Sequence, residues 1–193
     1  YKGWVDLVYE DQGPPFRLYA GNCVIQPPEI RHRVLFASDD IEVIEIGVPA
    51  EHVTTIDHDM ELPTDALRPD RVFSGQRFVH CQAYDAEWLP YRLPGFLARD
   101  TSISFNTQAV ADVQVIKLGE GAPVWSTHNS DIHFTFVLDG SLTLEGGGQR
   151  AQHLVAGDAF VIPPGMQFRY NTPSRDLSLL EVSLPGDVET EFV

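Results

Sequence analysis

Apolar and polar positions alternate with period two along much of the chain, in short runs closed by turn residues. That rhythm predicts β-strands rather than helices. Residues 1–9 read as a first strand, with Trp4, Asp6 and Val8 alternating against Val5, Leu7 and Tyr9. Residues 10–15 (EDQGPP) turn, and 16–19 return. Strands are predicted again at 32–36 and 41–48, divided by Ser38-Asp39-Asp40. Residues 50–71 break the rhythm with polar, proline-containing sequence. The segments 71–83 and 87–97 are aromatic and β-branched but interrupted by Pro90 and Pro94; they read as covering strands or an arm across a barrel. Only 85–89 suggests a helical turn. Strands resume at 113–118 and run through 125–133, 134–138, 141–145, 149–155, 159–162, 168–171 and 177–184 to an acidic tail, 187–193. Gly146-Gly147-Gly148 is predicted as a hairpin tip. Phe134, Phe136 and Leu138 face one way and His133, Thr135 and Val137 the other; neither set is strongly polar, so both faces are expected to be covered.

One stretch occurs twice. Residues 154–169, LVAGDAFVIPPGMQFR, repeat the pattern of 18–33, LYAGNCVIQPPEIRHR. At an offset of 136, residues 21–49 lie on 157–185 without a gap, matching Pro27/Pro163, Pro28/Pro164, Arg33/Arg169, Asp40/Asp176, Glu45/Glu181 and Pro49/Pro185. Turn, short strand and Pro-Pro corner suit the rim of a small all-β barrel. An internal duplication is therefore expected, and within it His32 faces Phe168. The organisation expected is 1–49 as the C-terminal part of a first barrel and 50–110 as connection and covering arm. Residues 111–185 form the second barrel and 186–193 an acidic tail.

Composition narrows the partners. Hydrophobic residues make up 43% and charged residues 21%, ordinary for a globular chain. The net charge of −15, from 13 Lys+Arg against 28 Asp+Glu, argues against nucleic acid and anionic membranes, which need a basic surface. No apolar run reaches the roughly 18 residues of a membrane span. The two cysteines, Cys23 and Cys81, have neither metal-ligand spacing nor a disulfide framework, which makes a reduced cytoplasm the default location.

The repeated stretch resembles motif 2 of the cupin superfamily, which runs Gly, five residues, Pro, one residue, Gly, two residues, His. Gly157, Pro163 and Gly165 match it, with Phe168 at the histidine; Gly21, Pro27 and His32 match it, with Glu29 at the second glycine. Motif 1 runs His-x-His, three or four residues, Glu, six residues, Gly. With Gly140 as its glycine, His133 stands at the Glu, His128 at the second His and Ser126 at the first. Trp125 and Phe136-Val137-Leu138 look cupin-like too. The resemblance spans about three quarters of the chain and implies an all-β fold of two tandem cupin jelly-roll barrels. Gly3 lies on Gly140, which would make it the closing glycine of the first motif 1. The first barrel is therefore expected to be partial, its leading strands supplied from upstream of Tyr1 or by another chain.

What the resemblance implies for chemistry follows from its ligands. Cupin metal sites use three imidazoles and usually a carboxylate, leaving positions open for substrate, water or dioxygen. The metal-ligand candidates here are His32, His128 and His133, with Ser126, Phe168, Trp125 and Arg169 lining the pocket. One divalent transition metal (Fe, Mn, Ni or Zn) is expected, in the first barrel of the intact protein more than in the second. Phe168 offers no lone pair and Ser126 is a poor ligand, so the second barrel is expected to be metal-free. His128 or His133 would then bind ligand, move a proton or serve structure alone. Arg33 and Arg169 would hold a substrate carboxylate, or pair on the rim with Asp40/Asp176 or Glu45/Glu181. Two functions stay open. One is a metal-dependent dioxygenase or isomerase acting on a small organic acid or aromatic compound; the other is a non-catalytic small-molecule binding or sensing protein. A homodimer is what the resemblance implies.

Overall fold

The computed structural model describes residues 1–193 and divides into two units, Tyr1–Tyr84 and Asp85–Val193. Apart from one helical turn, all regular structure is β. No helix is long and apolar enough to cross a membrane.

The first unit holds β1 (Trp4–Tyr9), β2 (Phe16–Tyr19), β3 (Cys23–Ile25), β4 (His32–Ala37), β5 (Val72–Phe73), β6 (Gln76–Arg77) and β7 (Val79–Cys81). Three strands form a sheet in the order β2-β1-β4, and β3-β7 and β5-β6 form two further pairs. Leu7, Tyr9, Ile30 and Phe73 pack into its core, with Phe16, Val24 and Phe78 against them. Residues 50–71, expected as an inter-domain connection, are tied back to this unit. Arg71 reaches Glu10 at 2.5 Å and Asp11 at 2.8 Å, and Thr64 Oγ1 accepts the Asp11 amide at 2.8 Å. These contacts satisfy two buried carboxylates, which explains why polar sequence packs here rather than floating free. The expected strand 41–48 is reduced to one bridge, Lys2↔Glu42. No neighbouring strand offers it a ladder, and Val43, Ile46 and Val48 stay exposed.

The second unit holds β8 (Leu89–Pro90), β9 (Phe96–Asp100), the single turn α1 (Ile103–Asn106), β10 (Asp112–Leu118), β11 (Ser126–His128), β12 (Ile132–Asp139) and β13 (Ser141–Gly146). Its last strands are β14 (Gln152–Val155), β15 (Ala159–Ile162), β16 (Phe168–Asn171), β17 (Ser178–Leu184) and β18 (Thr190–Phe192). Six strands run β15-β12-β17-β10-β9-β8 and five run β14-β13-β16-β11-β18. The core is drawn from both sheets, Ile116, Val137 and Leu179 from the first and Leu142, Phe168 and Tyr170 from the second. This is the double-sheet arrangement of a jelly roll.

Several expectations change. The arm 87–97 belongs to this unit and extends the six-stranded sheet as β8 and β9; there is no helix at 85–89. The acidic tail is an edge strand, β18 pairing with β11 at Ser126↔Phe192, Thr127↔Glu191 and His128↔Thr190. The run 125–133 splits in two because Ser130 turns inward, its Oγ donating to the carbonyl of Leu184 at 2.9 Å.

Candidate functional site

Register across the six-stranded sheet assembles the site. On one face the pairings Thr135↔Glu181↔Gln114↔Asp100 form one row across β12, β17, β10 and β9. His133↔Ser183↔Asp112 forms the next row. On the other side of the Glu181 row, Val137↔Leu179↔Ile116↔Ala98↔Leu89 is apolar throughout. Residues two apart on a strand share a face, so two polar rows stand side by side at one end of an otherwise greasy wall.

Glu181 is the centre of the polar rows and is 1% exposed. Its Oε1 accepts hydrogen bonds from the Tyr91 hydroxyl and the Arg92 guanidinium. Its Oε2 accepts from Tyr170 at 3.3 Å and lies 3.2 Å from His133 Nε2. His133 Nδ1 sits 3.0 Å from Ser183 Oγ, and Arg92 also lies 3.7 Å from Asp112.

Burial dominates the proton affinities. It pushes the Glu181 carboxyl well above the usual range. It lowers His133 to about 2, helped by the Arg92 and His128 charges. It also lifts the Tyr170 phenol to about 12 and lowers Arg92 to about 10. At neutral pH His133 is therefore a neutral imidazole and Arg92 a cation, while burial pushes Glu181 toward its protonated form; His133 Nε2, 3.2 Å from Glu181 Oε2, makes no hydrogen bond.

A cleft of about 270 Å³ opens on the same face, lined by Leu89, Tyr91, Arg92, Ala98, Asp100 and Gln114. Tyr91 and Arg92 thus touch the cleft at one end and Glu181 at the other.

The structure brings together four of the residues singled out from sequence. His128 and His133 lie with ring centroids 4.5 Å apart, and Phe168 sits 6.0 Å from the first and 6.1 Å from the second. Ser126 pairs directly with Phe168 across β11 and β16, its hydroxyl turned to the Val124 carbonyl at 3.4 Å. His128 Nε2 faces the Ile162 carbonyl at 3.1 Å, so that nitrogen carries the hydrogen; the buried Nδ1 keeps a lone pair with no hydrogen-bond partner.

Arg169 and Trp125 lie elsewhere. Buried Phe168 and Tyr170 flank Arg169 on β16, so its side chain leaves by the opposite face. There it pairs with Glu145 at 2.5 Å and lies 5.0 Å over the Trp125 ring. Its partner is neither Asp176 nor Glu181. His32 is in the first unit, exposed on β4 and stacked on Tyr9 at 5.5 Å. Arg33 donates to the Leu62 carbonyl at 3.2 Å.

A resident metal does not suit this donor set. Besides Phe168 and Ser126 at two of the positions where the resemblance would place ligands, the nearby carboxylate is already engaged by a guanidinium. Nowhere do three His, Cys, Asp or Glu side chains converge on a point.

Sequence reasoning missed Glu181, Tyr91, Arg92 and Tyr170 as site residues. Glu181 alone carried a signal: it is the one charge within LSLLEVSL, in phase with Leu179 and Ser183.

Residues 112–183 match the Cupin_2 family, described as a cupin domain. That match lies wholly within the second unit. Its cupin match runs from the start of β10 through most of β17 and takes in His128, His133, Phe168 and Glu181. Among solved structures the chain is similar to Streptomyces Pac13, described as a nucleoside dehydratase (14% identity, TM-score 0.46, covering 58% of this chain and 88% of that one). It is also similar to the polyketide cyclase RemF from Streptomyces resistomycificus (18%, TM-score 0.47, 58% and 84%). A third is KdgF from Halomonas sp. (19%, TM-score 0.45, 55% and 95%). No curated protein matches the sequence.

Proposed function

We propose that the cupin domain binds a small organic acid in the cleft beside Arg92 and moves a proton on it through Glu181 and His133, an isomerisation that needs no metal. The observation that carries this is the connection between cleft and buried acid. Arg92 lines the cleft and holds Glu181 Oε1, and Glu181 Oε2 lies 3.2 Å from His133 Nε2. A ligand carboxylate that engages Arg92 competes with Glu181 for the guanidinium. Burial favours the protonated form of Glu181, and loss of the cation favours it further, so Glu181 holds a proton that it can give to the bound ligand and, once charged, takes one back from the adjacent carbon, with His133 a neutral imidazole beside it. Ser183 orients that imidazole from the other side. Burial keeps water away from the exchange.

The test is deuterium uptake from heavy water at carbon next to a carbonyl, followed by NMR across a panel of small keto and hydroxy acids. Uptake by chelator-treated protein that is lost in Glu181→Gln supports the reading; uptake that depends on added metal overturns it. The second reading, a binding domain without catalysis, is favoured by the full set of donors on Glu181, which suits a structural pillar. Calorimetric binding of an acid with no exchange at any carbon would select it.

We infer further that the first unit is the counterpart half of a second cupin barrel. Strand pairing supports this: Tyr9↔His32 and Val8↔Arg33 stand where Gly146↔Phe168 and Glu145↔Arg169 stand in the repeat. Gly3 and Gly140 both have positive φ, and Ser38 Oγ and Ser174 Oγ each accept the amide that follows. The sheet orders β2-β1-β4 and β14-β13-β16 correspond strand for strand.

A further inference from the structure

Far apart in sequence and unremarkable there, the two cysteines face each other across a strand pair in the first unit. β3 and β7 run antiparallel with Cys23↔Cys81, Val24↔His80 and Ile25↔Val79 as partners. The register is pinned beyond the strand ends too, because Asn22 Oδ1 accepts the Ala83 amide at 3.0 Å. Residues directly opposite on antiparallel strands project to the same face. Their Cα atoms are about 4.5 Å apart at a non-hydrogen-bonded position and about 5.5 Å at a hydrogen-bonded one. Both values fall within the roughly 4.4–6.8 Å that a disulfide spans, so the backbone need not move for a bond to form. Both residues are half-buried thiols, within reach of a small reagent.

We propose that Cys23 and Cys81 are a reversible thiol–disulfide site that clasps β3 to β7. The oxidant is a low-molecular-weight disulfide such as oxidised glutathione. One cysteine thiolate attacks it, forming a mixed disulfide and expelling one glutathione thiolate. The opposing cysteine thiolate then attacks the protein-bound sulfur and expels the second. Two protein thiols are oxidised and one glutathione disulfide is reduced to two thiols, which take up the protons released by the cysteines. The bond closes a loop containing β4, the ion-paired segment around Arg71 and the β5–β6 hairpin, and it restricts the unfolded chain far more than the folded one.

The full chain is incubated with oxidised glutathione and followed by intact mass and non-reducing peptide mapping. The expected result is a monomer lighter by two hydrogens, with a Cys23–Cys81 peptide and a melting temperature higher by roughly 5 °C. Dithiothreitol reverses both changes. In Cys81→Ser, Cys23 retains a stable glutathione adduct, because the resolving thiol is gone, and the melting temperature does not rise. Glutathione adducts on both cysteines of the wild-type chain, or covalent dimers in place of the internal bond, overturn the proposal.

Discussion

Glu181 Oε2 lies 3.2 Å from His133 Nε2, both side chains 1% exposed, on adjacent strands of the second unit. A carboxyl and an imidazole taken so far from water are tolerable only because each has other partners. Tyr91, Arg92 and Tyr170 serve the acid and Ser183 the base. Loss of any member leaves those it touches with one partner fewer.

Glu181→Ala removes the acceptor of the Tyr91, Arg92 and Tyr170 hydrogen bonds and leaves the buried Arg92 with Asp112 at 3.7 Å. Breaking a buried pair from one side costs about 3–5 kcal/mol, whereas Glu181→Gln keeps the shape and part of the hydrogen bonding and costs less. Urea unfolding of both variants checks this, with a clear gap in midpoint expected between them.

The two groups pull stability in opposite directions with pH. His133 is depressed from 6.5 to about 2, so its contribution is complete above pH 6.5 and is lost as pH falls toward 2. Glu181 is raised above 4.5, so its contribution is complete below pH 4.5 and is lost as pH rises through its folded value. Between 4.5 and 6.5 the two slopes oppose. Below 4.5 His133 acts alone, at about 1.4 kcal/mol per pH unit. His133→Gln should therefore flatten the acid limb of the stability curve by up to that slope, and Glu181→Gln should flatten the alkaline limb; denaturant titrations from pH 3 to pH 9 separate the two.

Phe168→His places a third imidazole beside His128 and His133, at the position whose ring now lies about 6 Å from both. The variant should bind zinc or nickel more tightly than the unaltered chain, measured by metal analysis after dialysis. An unchanged metal content would mean that the three rings cannot converge.

Gly140 has φ +72, and a Cβ there would come within 2.4 Å of Ser174 Oγ and 2.8 Å of Leu177 backbone. Gly3 has φ +69 and would meet Ser38 Oγ at 2.2 Å. Alanine at either position should cost about 2 kcal/mol or more, because left-handed strain adds to a clash, with backbone at Gly140 and with the Ser38 hydroxyl at Gly3. Gly157→Ala, with φ +95 and open space around it, should cost only the strain. Thermal melts of the three variants give the ranking.

Much of the fold was legible in the linear pattern. Strand alternation located β10, β12, β13, β15, β16 and β17, and the Pro163-Pro164 corner located the turn between β15 and β16. Alternation is a local property: it says which residues share a face of one strand, so His133, Thr135 and Val137 could be grouped from sequence alone. Motif spacing likewise brought His128, His133, Ser126 and Phe168 to one place.

Pairing between strands is not local, and there the tertiary structure decided. Strand 41–48 has the composition of β17 but lacks neighbours on both sides, so it stays coil in the first unit while β17 lies between β12 and β10 in the second. Arg169 looked like a mouth residue until the alternation of β16 sent it outward to Glu145. The acid at the centre of the candidate site owes its partners to three separate stretches of chain: Tyr91 and Arg92 from the arm, Tyr170 from β16 and His133 from β12. The chain itself determined that Glu181 would sit in phase with Leu179 and Ser183. Only the register of β17 against β12, and the arm folded over it, determined that a lone carboxyl there would be buried and paired.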